Sequence, residues 1–132
     1  MSLIIVSAAA LIDRDGRVMM TTRPAGKDHE GLHEFPGGKV EQGEMPETAL
    51  IRELNEELSI STEESCLAPF GFATEKREEK LLLMTVFVCR KWKGHPKPLE
   101  GQKIVWARPQ QLLDLPMPPM DRPIAAQLRD YL

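Results

Sequence analysis

Residues 45–58 carry the pattern that most limits the fold. Leu50, Ile51, Leu54 and Leu58 recur at three- and four-residue steps, a spacing that an α-helix gathers onto one side. At about 100° per residue, Glu53, Glu56, Glu57 and Ala49 share the neighbouring face, and Arg52 is expected on its opposite flank. Pro46 suits the first turn, where its missing N–H costs no bond. The helix must therefore lay its leucines on another layer of structure and hold three carboxylates beside that contact. Carboxylates at i, i+3 and i+4 repel by roughly a few tenths of a kcal/mol per pair, and no Lys or Arg is read as sharing their face. Either the face is simply solvated, or a cation relieves it. Oxygen donors without imidazole or thiolate favour Mg²⁺, with Mn²⁺ as the alternative, over zinc.

Charge is distributed in the same sense. The 132 residues carry a formal −3, yet residues 40–64 hold eight acids against Arg52 alone. That block carries −7, leaving +4 for the rest of the chain. With no basic stripe to release counterions, polymeric nucleic acid is not an expected partner. His29, His33 and His95 do not combine with Cys66 and Cys89 at zinc-site spacing, so two buried, reduced thiols in a cytoplasmic chain are expected. The apolar run 3–12 has no preceding basic residue and is too short to span a bilayer; it reads as a buried strand rather than a leader or membrane segment.

Asp15-Gly16 between the runs 3–12 and 17–23 predicts a β-hairpin. Residues 24–32 read as a loop, and Phe35-Pro36-Gly37-Gly38 makes 34–40 irregular. Strands are expected at 67–74 and 81–92, joined by a charged turn at 75–80, with 81–89 central because it is almost wholly apolar. A Gly- and Pro-containing loop at 93–103 precedes a short strand at 104–107. A brief helix at 109–113, a Pro-rich bend and a terminal helix at 122–132 complete the chain. This order predicts one mixed α/β layered domain over residues 1–132. Met19, Met20 and Met84 read as core, and Trp92 and Trp106 as anchors for the two ends of the 93–103 loop.

The residues before the acidic helix favour the cation. Gly37-Gly38-Lys39-Val40-Glu41-Gln42-Gly43-Glu44 is a Gly-containing loop able to bring backbone atoms close to a metal or phosphate. Gly38, Glu44, Arg52-Glu53-Leu54, Glu56-Glu57 and Ile60 resemble the box of the Nudix family, G-x5-E-x7-R-E-U-x-E-E-x-G-U with U aliphatic. Eight of its nine fixed positions match; Ser59 replaces the Gly that ends the helix in a left-handed conformation, a substitution costing roughly 1–2 kcal/mol. Arg23, the run 34–40, Glu100-Gly101-Gln102 and Pro118-Pro119-Met120-Asp121-Arg122-Pro123 extend the resemblance to the MutT branch over essentially the whole chain.

The resemblance implies an α/β/α sandwich with a mixed sheet flanked by helices, and a Mg²⁺-dependent pyrophosphohydrolase acting on a small nucleoside triphosphate. Hydrolysis of 8-oxo-dGTP to 8-oxo-dGMP and pyrophosphate, a nucleotide-pool sanitation that prevents replication errors, is the leading expectation. A CTP or 5-methyl-dCTP pyrophosphohydrolase is the alternative, and a catalytically silent binding module is disfavoured by the retained carboxylates. By the same resemblance, the Gly37 carbonyl, Glu53, Glu56, Glu57 and Glu100 hold metal. Glu53 acts as general base, oriented by Arg52 and Glu44, and a monomer or weak homodimer suffices.

Substrate contacts are expected from Arg23, Glu34, Phe35 and Asp121. Three have a plainer alternative: a strand-end charge for Arg23, core filling for Phe35 and a helix N-cap for Asp121. His33 is read as a surface residue or a substrate contact. As a carboxylate, Asp121 accepts from N7–H of 8-oxoguanine or from the amino group of cytosine, whereas donation to O6 requires it to be protonated.

Overall fold

A computed structural model describes residues 1–28 and 30–132, so His29 lies outside the described residues. The elements run β1 (Ser2–Leu11), β2 (Val18–Thr22), β3 (His33–Glu34), β4 (Gly37–Lys39), α1 (Pro46–Leu58), β5 (Leu67–Arg77), β6 (Lys80–Cys89), β7 (Ile104–Ala107) and α2 (Asp121–Tyr131). Short 3₁₀ turns occupy Glu64–Cys66 and Pro109–Asp114.

The apolar run of β1 is buried because it has neighbours on both edges and helices on both faces. It pairs in parallel with β6 along its whole length, from Ser2 opposite Lys80 to Leu11 opposite Cys89, and β4 takes its other edge. Alternate side chains then go opposite ways. Ala8 and Ala10 join Met84, Val86 and Val88 in a core closed by Ile124, Ala125 and Leu128 of α2. Ala9 and Leu11 join Phe87 and Cys89 in a second core closed by Leu50, Leu54 and Leu58 of α1. The result is the expected mixed sheet between helices, in the order β4-β1-β6-β5 with β6 central.

Sheet organisation departs from expectation in one respect. The turn after β1 forms: the Gly16 N–H donates to the Asp13 carbonyl, and the Asp13 carboxylate accepts from the Asp15 and Arg17 N–H groups. Only one antiparallel bridge follows, Ile12 to Val18, before the strands part. With β6 and β4 on its two edges, β1 has no edge left for β2, which instead centres a separate three-stranded sheet, β3-β2-β7. The run 34–40 likewise supplies one short strand to each sheet instead of remaining irregular. The β5–β6 connection is tighter than 75–80, since Arg77 already pairs with Lys80 and Glu78 takes the positive φ of the turn.

Met19, Met20 and Met84 are core residues. Trp92 and Trp106 stack with centroids 6.3 Å apart, joining the two ends of the 93–103 loop. Cys89 is buried, but Cys66, on the 3₁₀ turn, is only half-buried; neither forms a disulfide. No helix among the described residues is long and apolar enough to cross a membrane.

Candidate active site

The acidic helix is fixed at both ends. Pro46 opens α1, and Ser59 closes it at φ 60°, ψ 33°, donating its N–H to the Asn55 carbonyl. The left-handed cap usually taken by Gly is thus present with Ser in it. Arg52 is not isolated on the far flank. Its guanidinium grips Glu44 through two bonds of 2.9 Å, reaches Glu53 at 3.0 Å and Glu56 at 3.5 Å, and donates to the Lys39 carbonyl at 3.2 Å. Arg52 and Glu56 are four residues apart, so a long side chain spans the turn between them. This corrects the expectation that no base shares the acidic face. The two-pronged bond holds the Glu44 carboxyl down at about 2 and pushes the Arg52 guanidinium up. Glu41 lies 3.8 Å from Arg52 and donates its N–H to Glu44.

Further from solvent, Glu57 is only 9% exposed. Burial, followed by the nearby charges of Glu100 and Glu34, pushes its carboxyl up to about 8, against the opposing pull of the Gly37 N–H. Burial also raises Glu53, with Arg52 opposing the rise and Glu56 and Glu100 adding to it. Two glycines make this approach possible. A Cβ on Gly37 would overlap the Ser7 carbonyl of β1, and one on Gly38 would sit 2.5 Å from Glu53 Oε2.

Glu100 enters on the 93–103 loop, which is fastened to the C-terminus of α1. The Lys97 N–H donates to the Leu58 carbonyl, and the Leu99 N–H to the Glu57 carbonyl. Gln102, buried at 6% exposure, completes the attachment: its Nε2 donates to the Glu57 carbonyl at 3.2 Å, while its Oε1 accepts the Glu100 N–H at 2.8 Å. The sequence marks Gln102 only as part of a loop motif. A polar residue beside Gly101 in a charged loop gives no sign, by itself, of being buried.

This donor set fits a hard divalent cation. Glu53, Glu57 and Glu100 offer carboxylate oxygens; beyond burial, their mutual fields raise the Glu57 carboxyl, and such crowding is what a dication would relieve. Among the described residues, no His, Cys, Asp and Glu side chains are already drawn into a closed metal cluster. Glu53 and Glu56 lean instead on Arg52, and Glu56 stays open to solvent, with 55% of its side chain exposed against 21% for Glu53.

Away from these carboxylates, Asp121 does not cap α2. That position belongs to Met120, and no side-chain cap bond forms. Asp121 instead accepts the Phe35 N–H on Oδ2 at 3.0 Å, and burial pushes its carboxyl up to about 7 despite that bond. The Phe35 side chain packs in the core beneath α2. Glu34, on β3, lies within the field of both Asp121 and Glu57 and so stands between the two ends. Arg23 Nη1 is 3.4 Å from Glu34 Oε1, and its Nε donates to the Asp28 carbonyl at 3.0 Å. His33 Nδ1 lies 3.2 Å from the Pro116 carbonyl. The fold thus gathers Glu53, Glu57 and Glu100 at one end and Arg23, Glu34 and Asp121 towards the other. A groove of about 400 Å³ beside Thr62, Cys66, Lys91 and Trp92 opens elsewhere, and Glu63 is the only carboxylate among the described residues lining it.

The whole chain and its fold have known counterparts. The E. coli (strain K12) protein named CTP pyrophosphohydrolase is 37% identical over 118 residues, covering 88% of this chain and 84% of that protein. The E. coli (strain K12) 8-oxo-dGTP diphosphatase is 29% identical over 124 residues, covering 94% and 95%. The solution structure of the E. coli ORF135 protein superposes with a TM-score of 0.87 at 32% identity, covering 99% of this chain and 91% of that one. The NUDIX domain model matches residues 1–128. Box, fold and relatives agree, and the chain belongs to the Nudix family.

Proposed function

We propose that the chain is a metal-dependent nucleoside triphosphate pyrophosphohydrolase that converts 8-oxo-dGTP to 8-oxo-dGMP and pyrophosphate, removing an oxidised precursor before replication can use it. The observation carrying this reading is a crowd of carboxylates around the buried Glu57 together with a buried Asp121 bonded to the Phe35 N–H, the charge of Glu34 acting on both. The Gly37 carbonyl, Glu53, Glu56, Glu57 and Glu100 would hold Mg²⁺, or Mn²⁺ in its place, which when bound neutralises the polyphosphate and acidifies water. Glu53 takes the proton of the attacking water as a P–O bond of the anhydride breaks. Arg52, tied to Glu44, fixes the direction of the Glu53 carboxylate. Arg23 and Glu34 line the path of the nucleotide, and the backbone of Phe35 holds Asp121.

The Phe35 N–H occupies Oδ2 of Asp121 and leaves Oδ1 for the base edge. Protonated, Oδ1 donates to O6; ionised, it accepts from N7–H of 8-oxoguanine or from N4–H₂ of cytosine. A carboxyl near 7 makes both forms accessible at neutral pH. The second reading, a cytosine nucleotide, is favoured by the ionised form and by the 37% identical relative named for CTP. Several other relatives are named 8-oxo-dGTP diphosphatase. The reading includes a small nucleotide as substrate, a cytoplasmic location, and a monomer or weak homodimer comprising one domain.

Measuring kcat/KM for 8-oxo-dGTP, dGTP, CTP and 5-methyl-dCTP tests the choice. We expect 8-oxo-dGTP to lead, with its advantage over CTP shrinking as pH rises through about 7 and Asp121 ionises. A lead for either cytosine nucleotide at all pH values refutes the substrate. In Glu53→Gln, turnover should fall by about 10²–10⁴ with the fold intact; full activity with metal present would remove Glu53 as the base.

A further inference from the structure

We infer that Gln102 is a positioning residue for the Glu100 carboxylate, joining the backbone that carries Glu100 to the C-terminal end of α1. The inference rests on the reading of Glu100 as a metal ligand. A helix leaves its last carbonyls without intrahelical donors. In α1 the 93–103 loop supplies them: Leu58 accepts from Lys97, and Glu57 accepts from both Leu99 and Gln102. Of these three donors, only Gln102 also acts in the other direction, accepting the Glu100 N–H at 2.8 Å. One amide thus bonds the main chain of Glu57 with one end and that of Glu100 with the other.

The surroundings suit that task. Gln102 is buried, whereas Glu100 itself is exposed, so the buried attachment lies two residues from the ligand. Removing the amide leaves the Glu57 carbonyl still bonded to Leu99 and leaves the Glu100 N–H free to reach water. Folding therefore survives, while the Glu100 backbone loses its fixed relation to Glu57. Partners of this outer kind typically affect metal affinity by about 10–100-fold.

The test compares the full chain with Gln102→Met, Glu100→Gln and the double variant; Gln102→Ala replaces Gln102→Met should the latter fold poorly. Mn²⁺ binding without nucleotide is followed by calorimetry, half-saturating Mg²⁺ in turnover by kinetics, and stability by urea unfolding. We expect Gln102→Met to weaken Mn²⁺ binding and raise half-saturating Mg²⁺ by about tenfold, with nucleotide KM at saturating Mg²⁺ within about twofold of wild type. Because Gln102 acts through Glu100, the double variant should be no worse than Glu100→Gln alone. Metal affinity unchanged in Gln102→Met while Glu100→Gln weakens it, or losses that multiply in the double variant, overturns the inference. No effect in Glu100→Gln itself overturns it together with the reading of Glu100 as a ligand.

Discussion

Replacing Glu57 by Gln should make the metal-free protein more stable, although it removes a residue at the centre of the site. Glu57 is almost wholly buried, and its carboxyl is pushed from the ordinary 4.5 up to about 8. Between these values the native protein holds a proton that the unfolded chain releases, so stability falls as pH rises through that window and levels off above it. Each tenfold change in proton affinity is worth about 1.4 kcal/mol, so this carboxyl costs about 3 kcal/mol at pH 7 and about 5 kcal/mol above pH 8. Gln keeps an acceptor for the Gly37 N–H and carries no charge against Glu100 or Glu34.

With EDTA present, Glu57→Gln should therefore raise Tm by about 10 °C at pH 7, taking roughly 3–5 °C per kcal/mol for a chain of this size. The gain should grow to pH 9 and vanish near pH 4. Asp121, pushed up to about 7, adds a slope of the same sign that ends near pH 7 and is common to both proteins, so it cancels in their difference. In wild type, Mg²⁺ at 100 times its Kd should restore about 2.7 kcal/mol at high pH, and in the variant this rescue should be greatly reduced. Calorimetry from pH 4 to 9, with EDTA and with Mg²⁺, measures all of this. A variant no more stable than wild type at pH 9 in EDTA would refute the claim that Glu57 is held against an unrelieved electrostatic cost.

Two further substitutions probe the helix and its loop. Ser59→Gly, at φ 60° and ψ 33°, should stabilise the protein by about 1 kcal/mol, read as a higher urea midpoint with unchanged slope; a lower midpoint would mean that the Ser side chain supports the cap. Gly38→Ala should cut kcat by about 100-fold, because its Cβ would sit 2.5 Å from Glu53 Oε2 and drive that carboxylate off Arg52. Wild-type kcat in a folded Gly38→Ala protein would show that the position of Glu53 is not critical.

The local features were legible because they depend on near neighbours in the chain. The 3.6-residue pattern placed α1 to within one residue, and the box spacing located its left-handed end at Ser59. The reach of Arg52 was misjudged because a helical wheel places Cα atoms, whereas a long guanidinium crosses a full turn. The Asp15-Gly16 signal identified a real turn, but whether strands beyond it pair depends on which edges other strands occupy, and β6 and β4 had already taken those of β1.

The sequence by itself determined the layers, the helix faces and the chemical types gathered at the site, since periodicity and residue chemistry act over a few positions. Only tertiary structure decided which carboxylates are buried and what each one meets. Asp121 follows Phe35 by 86 residues and Gln102 follows Glu57 by 45, yet each pair is joined by a hydrogen bond. Burial and proximity raise the carboxyls of Glu57 and Asp121, and both arise from the sheet bringing distant segments together in a region poor in water. The −7 segment announced that negative charge would be concentrated; the fold determined which part of it is expensive to keep.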